Sequence, residues 1–368
     1  MKNPFDRGPF SPAFDGGLGW RLPGRGEWRY AALAALLAWL PLLLLSGMGA
    51  GSTSAGDAVP FDVDTARYLV ALPLLIVGQP LLTHRLNSIV QVIADGGYVG
   101  SAETARMDRL LESTRRLLAH PAAAVGIVLV AFAVSLVTAL ARGLTHATPA
   151  AGQWRLLVSQ PLFLACLGAW LWRTALWARL VWRISTFPLR LSPAHPDLAA
   201  GLLFVSRSVP AYYPFAIALG TVAAVALRHS VVVDHRSASE HVGLMMALIA
   251  GVVGIAAGPL LPLARPIRRA QLRGIIDYGT LANQVGRQFE ERWLHRDAVP
   301  PDALASPDFS ATTDLYSIAA NVTRIRLLPV DLRALLALLL ALLLPFLPVA
   351  LVTVPPSQLL HFVSSLLM

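Results

Sequence analysis

The stretch from Tyr30 to Met48, YAALAALLAWLPLLLLSGM, carries no charged side chain and is apolar almost throughout. At about 1.5 Å per residue, a helix of this length reaches close to 30 Å, the thickness of a bilayer's hydrocarbon core. Lipid offers the backbone no hydrogen-bond partners, so a single segment crosses it as a helix. The 29 residues before it are polar and rich in Gly, Pro and Arg. The apolar run is longer than a signal-peptide core and lacks a small-residue cleavage site. Tyr30–Met48 is therefore expected to be a retained first span.

Further apolar stretches follow at Tyr68–Leu82, Pro121–Ala141, Leu156–Leu176, Pro210–Leu227, Val242–Ala264 and Ala334–Val352. They predict an all-α fold, a polytopic transmembrane bundle of about seven spans. The second is the weakest, because it holds Gln79 and Pro80 and is barely long enough. It is expected to tilt, or to continue as an amphipathic helix through Ser88–Ile93. Composition agrees: with 55% of residues apolar and 14% charged, a soluble protein would be coated with apolar surface.

Of the 30 basic residues only Lys2 is a lysine. With the first tail placed in the cytoplasm, the cytoplasmic segments hold 23 of the 30, and 5 lie in the segments opposite. This asymmetry orients the N-terminus to the cytoplasm of an inner membrane, and seven spans then put the C-terminus in the periplasm. The net charge of +9 is thus explained by membrane orientation and argues against nucleic-acid binding. The tail Val354–Met368 follows the Pro355-Pro356 break, is too short to span, and is expected at the outer interface.

Residues 1–29 form the cytoplasmic tail, 30–264 hold the first six spans, 265–333 form a cytoplasmic helical loop, 334–353 the seventh span and 354–368 the interfacial tail. Between the second and third spans, Ser101–His120 is an amphipathic helix, with Ser101 as its N-cap and Met107, Leu110, Leu111, Leu117 and Leu118 at helical spacing. In the larger loop, a basic turn containing Arg265, Arg268 and Arg269 suits anionic lipid headgroups. Gly274–Trp293 and about Thr312–Leu327 are read as helices joined by a proline-punctuated connection, making a small cytoplasmic cap.

The lone Cys166 excludes a disulfide framework and a multi-cysteine metal site. His84, His120, His195 and His295 fall at the inner boundary, and His146, His229, His235, His241 and His361 at the outer one, so no facing pair exists for a haem. The outer loop gathers His229, Asp234, His235, Glu240 and His241 without the spacing of a metal site. No cofactor is expected. No nucleophile elbow, H-E-x-x-H or Walker loop is present, and all 21 acids lie in loops, which argues against an enzyme.

Two arginines sit near the membrane. Arg173 lies 17 residues past Leu156, about 26 Å along the helix, among Trp170, Trp172, Trp177 and Trp182, as an interfacial anchor would. Arg207 lies on a fifth helix that, if it begins after Asp197, is too long for the bilayer and is kinked by Pro210 and Pro214. There it either snorkels to the interface or lines a cytoplasm-facing cavity with Ser206, Ser208, Tyr212 and Tyr213.

The runs His195-Pro196-Asp197-Leu198-Ala199-Ala200-Gly201-Leu202 and Ser306-Pro307-Asp308-Phe309-Ser310, with Asp314-Leu315 beyond, resemble an uncharacterised family of bacterial multi-pass membrane proteins. Its members tend to have an Asp-Ile-Gln-Ser-like run where this chain has Asp308-Phe309-Ser310-Ala311. The resemblance spans the chain from about Phe61 onward and implies a membrane bundle, with no established activity. Physically, Asp197 and Asp308 either cap the helices that follow, or converge with His195, Asp314 and Arg207 on a polar site at the cytoplasmic mouth. Two functions are carried forward: an ion or small-solute channel or transporter, and a non-catalytic scaffold or accessory subunit. Self-association and membrane-complex subunits both stay open as partners.

Overall fold

The computed structural model describes residues 4–5, 25–49, 62–141, 150–294 and 307–348. Its helices are α1 (Arg25–Gly49), α2 (Val63–Asp95), α3 (Thr104–Ala119), α4 (Pro121–Ala141), α5 (Ala150–Ser185), α6 (Leu203–Val232), α7 (Val242–Ala257), α8 (Ala264–Trp293), α9 (Pro307–Thr323) and α10 (Leu332–Leu343). Among the described residues, six segments are long and apolar enough to cross a membrane, with α7 and α8 joined without a break through a 3₁₀ turn at Gly258–Leu263. No strand occurs among the described residues. The chain is an all-α, multi-pass membrane bundle. The seventh apolar segment is represented by the short α10. Most of the N-terminal tail, His146, the connection holding His295 and Ser306, and the tail Val354–Met368 lie outside the described residues.

The segment that reads as the weakest span is the centre of the molecule. α2 runs unbroken for 33 residues, and half of its apolar window is buried, against 17% for α1 and α4. Its low hydropathy follows from its position, because a helix walled by protein can carry Gln79 and Pro80 where a lipid-facing one cannot. α1, α5 and α6 pack around it. Two glycines set the approach. A Cβ on Gly78 would lie 2.8 Å from both Pro214 Cβ and Trp170 Cζ2, and one on Gly220 would collide with the Leu342 backbone carbonyl of α10.

Regular α-helix is interrupted in several spans. α2 opens with a π-helical stretch at Ala66–Ala71 and α5 has another at Arg155–Ser159. α6 begins as a 3₁₀ helix from Leu203 to Tyr212. Such stretches frequently mark functional positions.

One side of the bundle, hereafter the cap side, carries α3 and the α8–α9 hairpin. Here the structure moves several expected boundaries. α8 begins at Ala264, so Arg265, Arg268 and Arg269 lie on its first turns, exposed, and not in a turn. α9 starts at Pro307 and ends at Thr323, earlier than Thr312–Leu327. α6 starts at Leu203 and not after Asp197, because Leu198, Ala200 and Gly201 take positive φ values of 54°, 55° and 92°, which a helix cannot hold. Ser101 opens a 3₁₀ turn and does not cap α3. α3 buries Met107, Leu111, Thr114 and Leu118 against α5, leaving Leu117 exposed. Gly96 and Gly97 end α2 as a helix stop, Gly97 at φ 74°.

One unexpected element comes from the tail. Phe5 is fully buried, its N–H donating to Asn87 Oδ1 at 3.0 Å and its ring set edge-on to Trp177 at 6.1 Å.

Replacing Gly78 with Leu is expected to force α2 away from Pro214 and Trp170, at a cost of about 1–3 kcal/mol or more for overpacking. The midpoint of thermal aggregation in detergent should fall by several degrees, whereas Gly251→Leu, at a position with open space around its Cβ, should leave it unchanged.

Candidate functional site

α5 turns its polar residues toward α2 and the start of α6. Trp170 Nε1 donates to the Leu75 carbonyl at 2.7 Å. One turn along α2, the Gln79 carbonyl accepts Arg173 Nη1 at 3.4 Å and Thr83 Oγ1 at 3.0 Å. Pro80 has no N–H, so the carbonyl of Ile76, between these two, has lost its ladder donor. Thr174 spends its one hydroxyl proton on the Trp170 carbonyl at 3.0 Å, which makes Tyr212 the donor in the 3.1 Å bond between Tyr212 and Thr174. The Trp170 ring also packs on Tyr212 and Phe215, with centroids 5.9 and 5.3 Å apart.

Arg173 is 6% exposed. It makes no ion pair among the described residues, and its Nε is buried without a hydrogen-bond partner. A buried cation lacking a counter-charge is costly, and arginines inside membrane bundles are usually kept for function. Its depth is close to that expected from sequence. Gly168 of α5 meets Ile127 of α4, so Arg173, five residues further, lies level with the first turn of α4. What differs is the direction. The guanidinium points into the bundle and not to the headgroups, and Trp170 and Trp177, expected in an interfacial belt, are fully buried; of the four tryptophans only Trp182 is exposed. Further toward the cap, Phe5 of the N-terminal tail docks on Asn87 of α2 and Trp177 of α5.

The residues singled out by motif go elsewhere. His195 and Asp197 do meet, Nδ1 to Oδ1 at 2.9 Å. Asp197 also accepts the N–H groups of Ala199 at 2.9 Å and Gly201 at 3.0 Å on Oδ1, and of Leu203 at 3.0 Å on Oδ2. The carboxylate thus holds the positive-φ loop and caps α6. The loop is a clasp: Tyr98 Oη donates to the Gly201 carbonyl at 2.8 Å, and the Arg326 N–H to the Leu198 carbonyl at 2.7 Å. It ties the α2–α3 turn to the α9–α10 linker. Arg207 is exposed and makes no ion pair among the described residues, while its neighbours Ser206 and Ser208 are buried. Ser206 Oγ accepts the Asp331 N–H at 2.7 Å. Arg207 therefore shares no cavity with them. Asp308 sits in the first turn of α9 and pairs with Arg292 of α8 at 2.7 Å; Asp314 is exposed. Val322, on the far end of α9, is the residue near the clasp, and Asp308 lies 14 residues from it, about 21 Å along the helix. The five motif residues do not form one site.

On the opposite side, Arg155 and Arg67 share Asp64 at 3.2 and 3.6 Å. His229 approaches Asp234 at 3.9 Å, with both side chains about half exposed.

Comparison with protein-family models, curated proteins and solved structures finds no match to this chain.

Burial pushes the Asp197 pKa up, but the N–H groups of Leu203, Ala199 and Gly201, with His195, outweigh it and hold the carboxyl below its usual value. The folded value lies below the unfolded one, so this stabilisation is complete above about pH 4 and is lost as pH falls further. Asp197→Asn turns an amide donor toward one of these N–H groups and is expected to cost about 2 kcal/mol. Its melting temperature in detergent should lie below the parent's at pH 7, with the gap narrowing toward pH 3.

Proposed function

We propose that this protein passes a small anionic solute across the membrane, with Arg173 as the group that receives it. The observation that carries this reading is a buried guanidinium with no carboxylate partner among the described residues and an unpaired Nε, beside the ladder opened by Pro80. An anion arriving there would find a preformed cation, the Tyr212–Thr174 hydroxyls nearby, and no counter-charge to displace. The 3₁₀ start of α6, which ends at Tyr212, resembles the irregular helices that line transporter sites. Phe5 docks on Asn87 and Trp177, toward the cap from Arg173, and in this reading its departure opens the way in.

In this reading the membrane is a bacterial inner membrane. The arginine-rich cap side faces the cytoplasm, as the positive-inside asymmetry favours, and the C-terminus lies in the periplasm. Arg265, Arg268 and Arg269, exposed on the first turns of α8, meet anionic headgroups there.

A second reading, a scaffold or accessory subunit, is favoured by one feature of the cap. Leu272 and Ile276 are 53% and 68% exposed on successive turns of α8, an apolar strip that suits a partner helix.

Proteoliposomes loaded with chloride, phosphate or a monocarboxylate separate the two. Flux of at least one anion is expected from the parent. Arg173→Gln should reduce it more than about tenfold, since an uncompensated loss of a charged hydrogen bond exceeds about 1.4 kcal/mol. Arg173→Lys should fall between them, lacking the planar fork. Absence of flux for every anion, or flux indifferent to Arg173→Gln, would reject the reading and leave the scaffold. Phe5→Ala is expected to raise the rate where the parent transports.

A further inference from the structure

α4 is among the least buried of the spans, and it leaves a cleft of about 600 Å³ against α5. That volume falls within the range of small-molecule sites, about 300–1,000 Å³. Its walls are apolar, with Gly126, Val130 and Val134 on α4 facing Leu164 and Leu171 on α5. From Ala122 to Val134 the cleft follows α4 for 12 residues, about 18 Å, slightly more than half of a hydrocarbon layer about 30 Å thick. A single acyl chain of one leaflet has this shape and chemistry.

The cap-side end is different. His120 and Trp172 line it, and Trp172 Nε1 is buried without a hydrogen-bond partner. Seven residues further, on the same stripe of α5, Arg179 has its Nη1 buried and likewise unpartnered. The last turns of α3, directly before His120, carry Arg115 and Arg116, which share the one carboxylate of Glu112 at 3.7 and 2.9 Å. The apolar cleft therefore ends beside surplus positive charge, at the cap-side end of α4.

We propose that this cleft binds one anionic phospholipid of the cap-side leaflet, with an acyl chain between α4 and α5 and its phosphate among half-buried Arg179 and the arginines that end α3. A second copy of α4 would fill the apolar part, but it brings no anion for these donors. The inference stands apart from the transport reading, because Arg173 faces the other side of α5.

Native mass spectrometry of the full chain, with dioleoyl phosphatidylglycerol and dioleoyl phosphatidylcholine at equal concentration, tests it. The parent is expected to retain one phosphatidylglycerol per chain with a preference of about tenfold, the scale of one charge-assisted hydrogen bond. No atom lies within 4 Å of a Cβ placed on Gly126, so Gly126→Phe fills the cleft without crowding its own helix and should abolish retention, with an unchanged lipid-free melting temperature. Arg179→Gln should still retain lipid but lose the preference; this arm decides the matter if Gly126→Phe does not fold. Equal retention of both lipids by the parent, or an undiminished preference in Arg179→Gln, would overturn the proposal. So would phosphatidylglycerol retained by folded Gly126→Phe, or a lipid-free dimer that Gly126→Phe converts to monomer.

Discussion

The bundle depends on the seam where α5 supplies side-chain donors to the backbone of α2. Trp170 reaches the Leu75 carbonyl and Arg173 the Gln79 carbonyl, one helical turn apart and directly before Pro80. In a lipid interior, an unsatisfied backbone group costs several kcal/mol, so a proline inside a span is tolerated where protein surrounds the freed carbonyl. The carbonyl that Pro80 frees is that of Ile76, between the two that α5 contacts, and α2 holds Gln79 and Pro80 where α5 and α6 wall it with protein. Gly78 permits that closeness, and the Tyr212–Thr174 bond brings the start of α6 into the same seam.

The seam also explains why function is assigned to it and not to the cap. At the clasp the charge of Asp197 is spent on backbone N–H groups and His195. Asp308 is neutralised by Arg292. Both carboxylates have a structural partner there. Arg173 has one weak carbonyl contact and an orphaned Nε. Polar groups that are fully satisfied hold a fold together, whereas a buried donor left open is one a ligand can complete.

Much of this was legible in the sequence, and the failures share one cause. Pro121–Ala141 is helical throughout and begins where expected, because a lipid-facing helix is apolar all round and bounded by polar residues. The amphipathic helix before it was equally plain from its spacing. Hydropathy, however, measures a helix against lipid and is blind to a neighbouring helix. It made α2 the weakest span and gave Arg173 and its tryptophans an interfacial role. The signal for their burial was present: Trp170, Arg173, Thr174 and Trp177 recur at helical spacing on one face of α5. The clasp needed backbone geometry that no pattern of non-glycine residues discloses, since Leu198 and Ala200 adopt positive φ values that their side chains disfavour. Phe5 was hidden because a single docked aromatic in a polar tail carries no periodicity.

Arg173 faces protein and not lipid or headgroups. A nitroxide scan along α5 in a Cys166→Ala background, reconstituted in bilayers, tests it most directly. Labels at positions 173, 174 and 177 are predicted to be immobilised and shielded from oxygen, in phase with their burial, while those at 171, 175 and 182 are mobile and accessible. A label at 173 that is mobile and accessible, in phase with 175, would contradict the account.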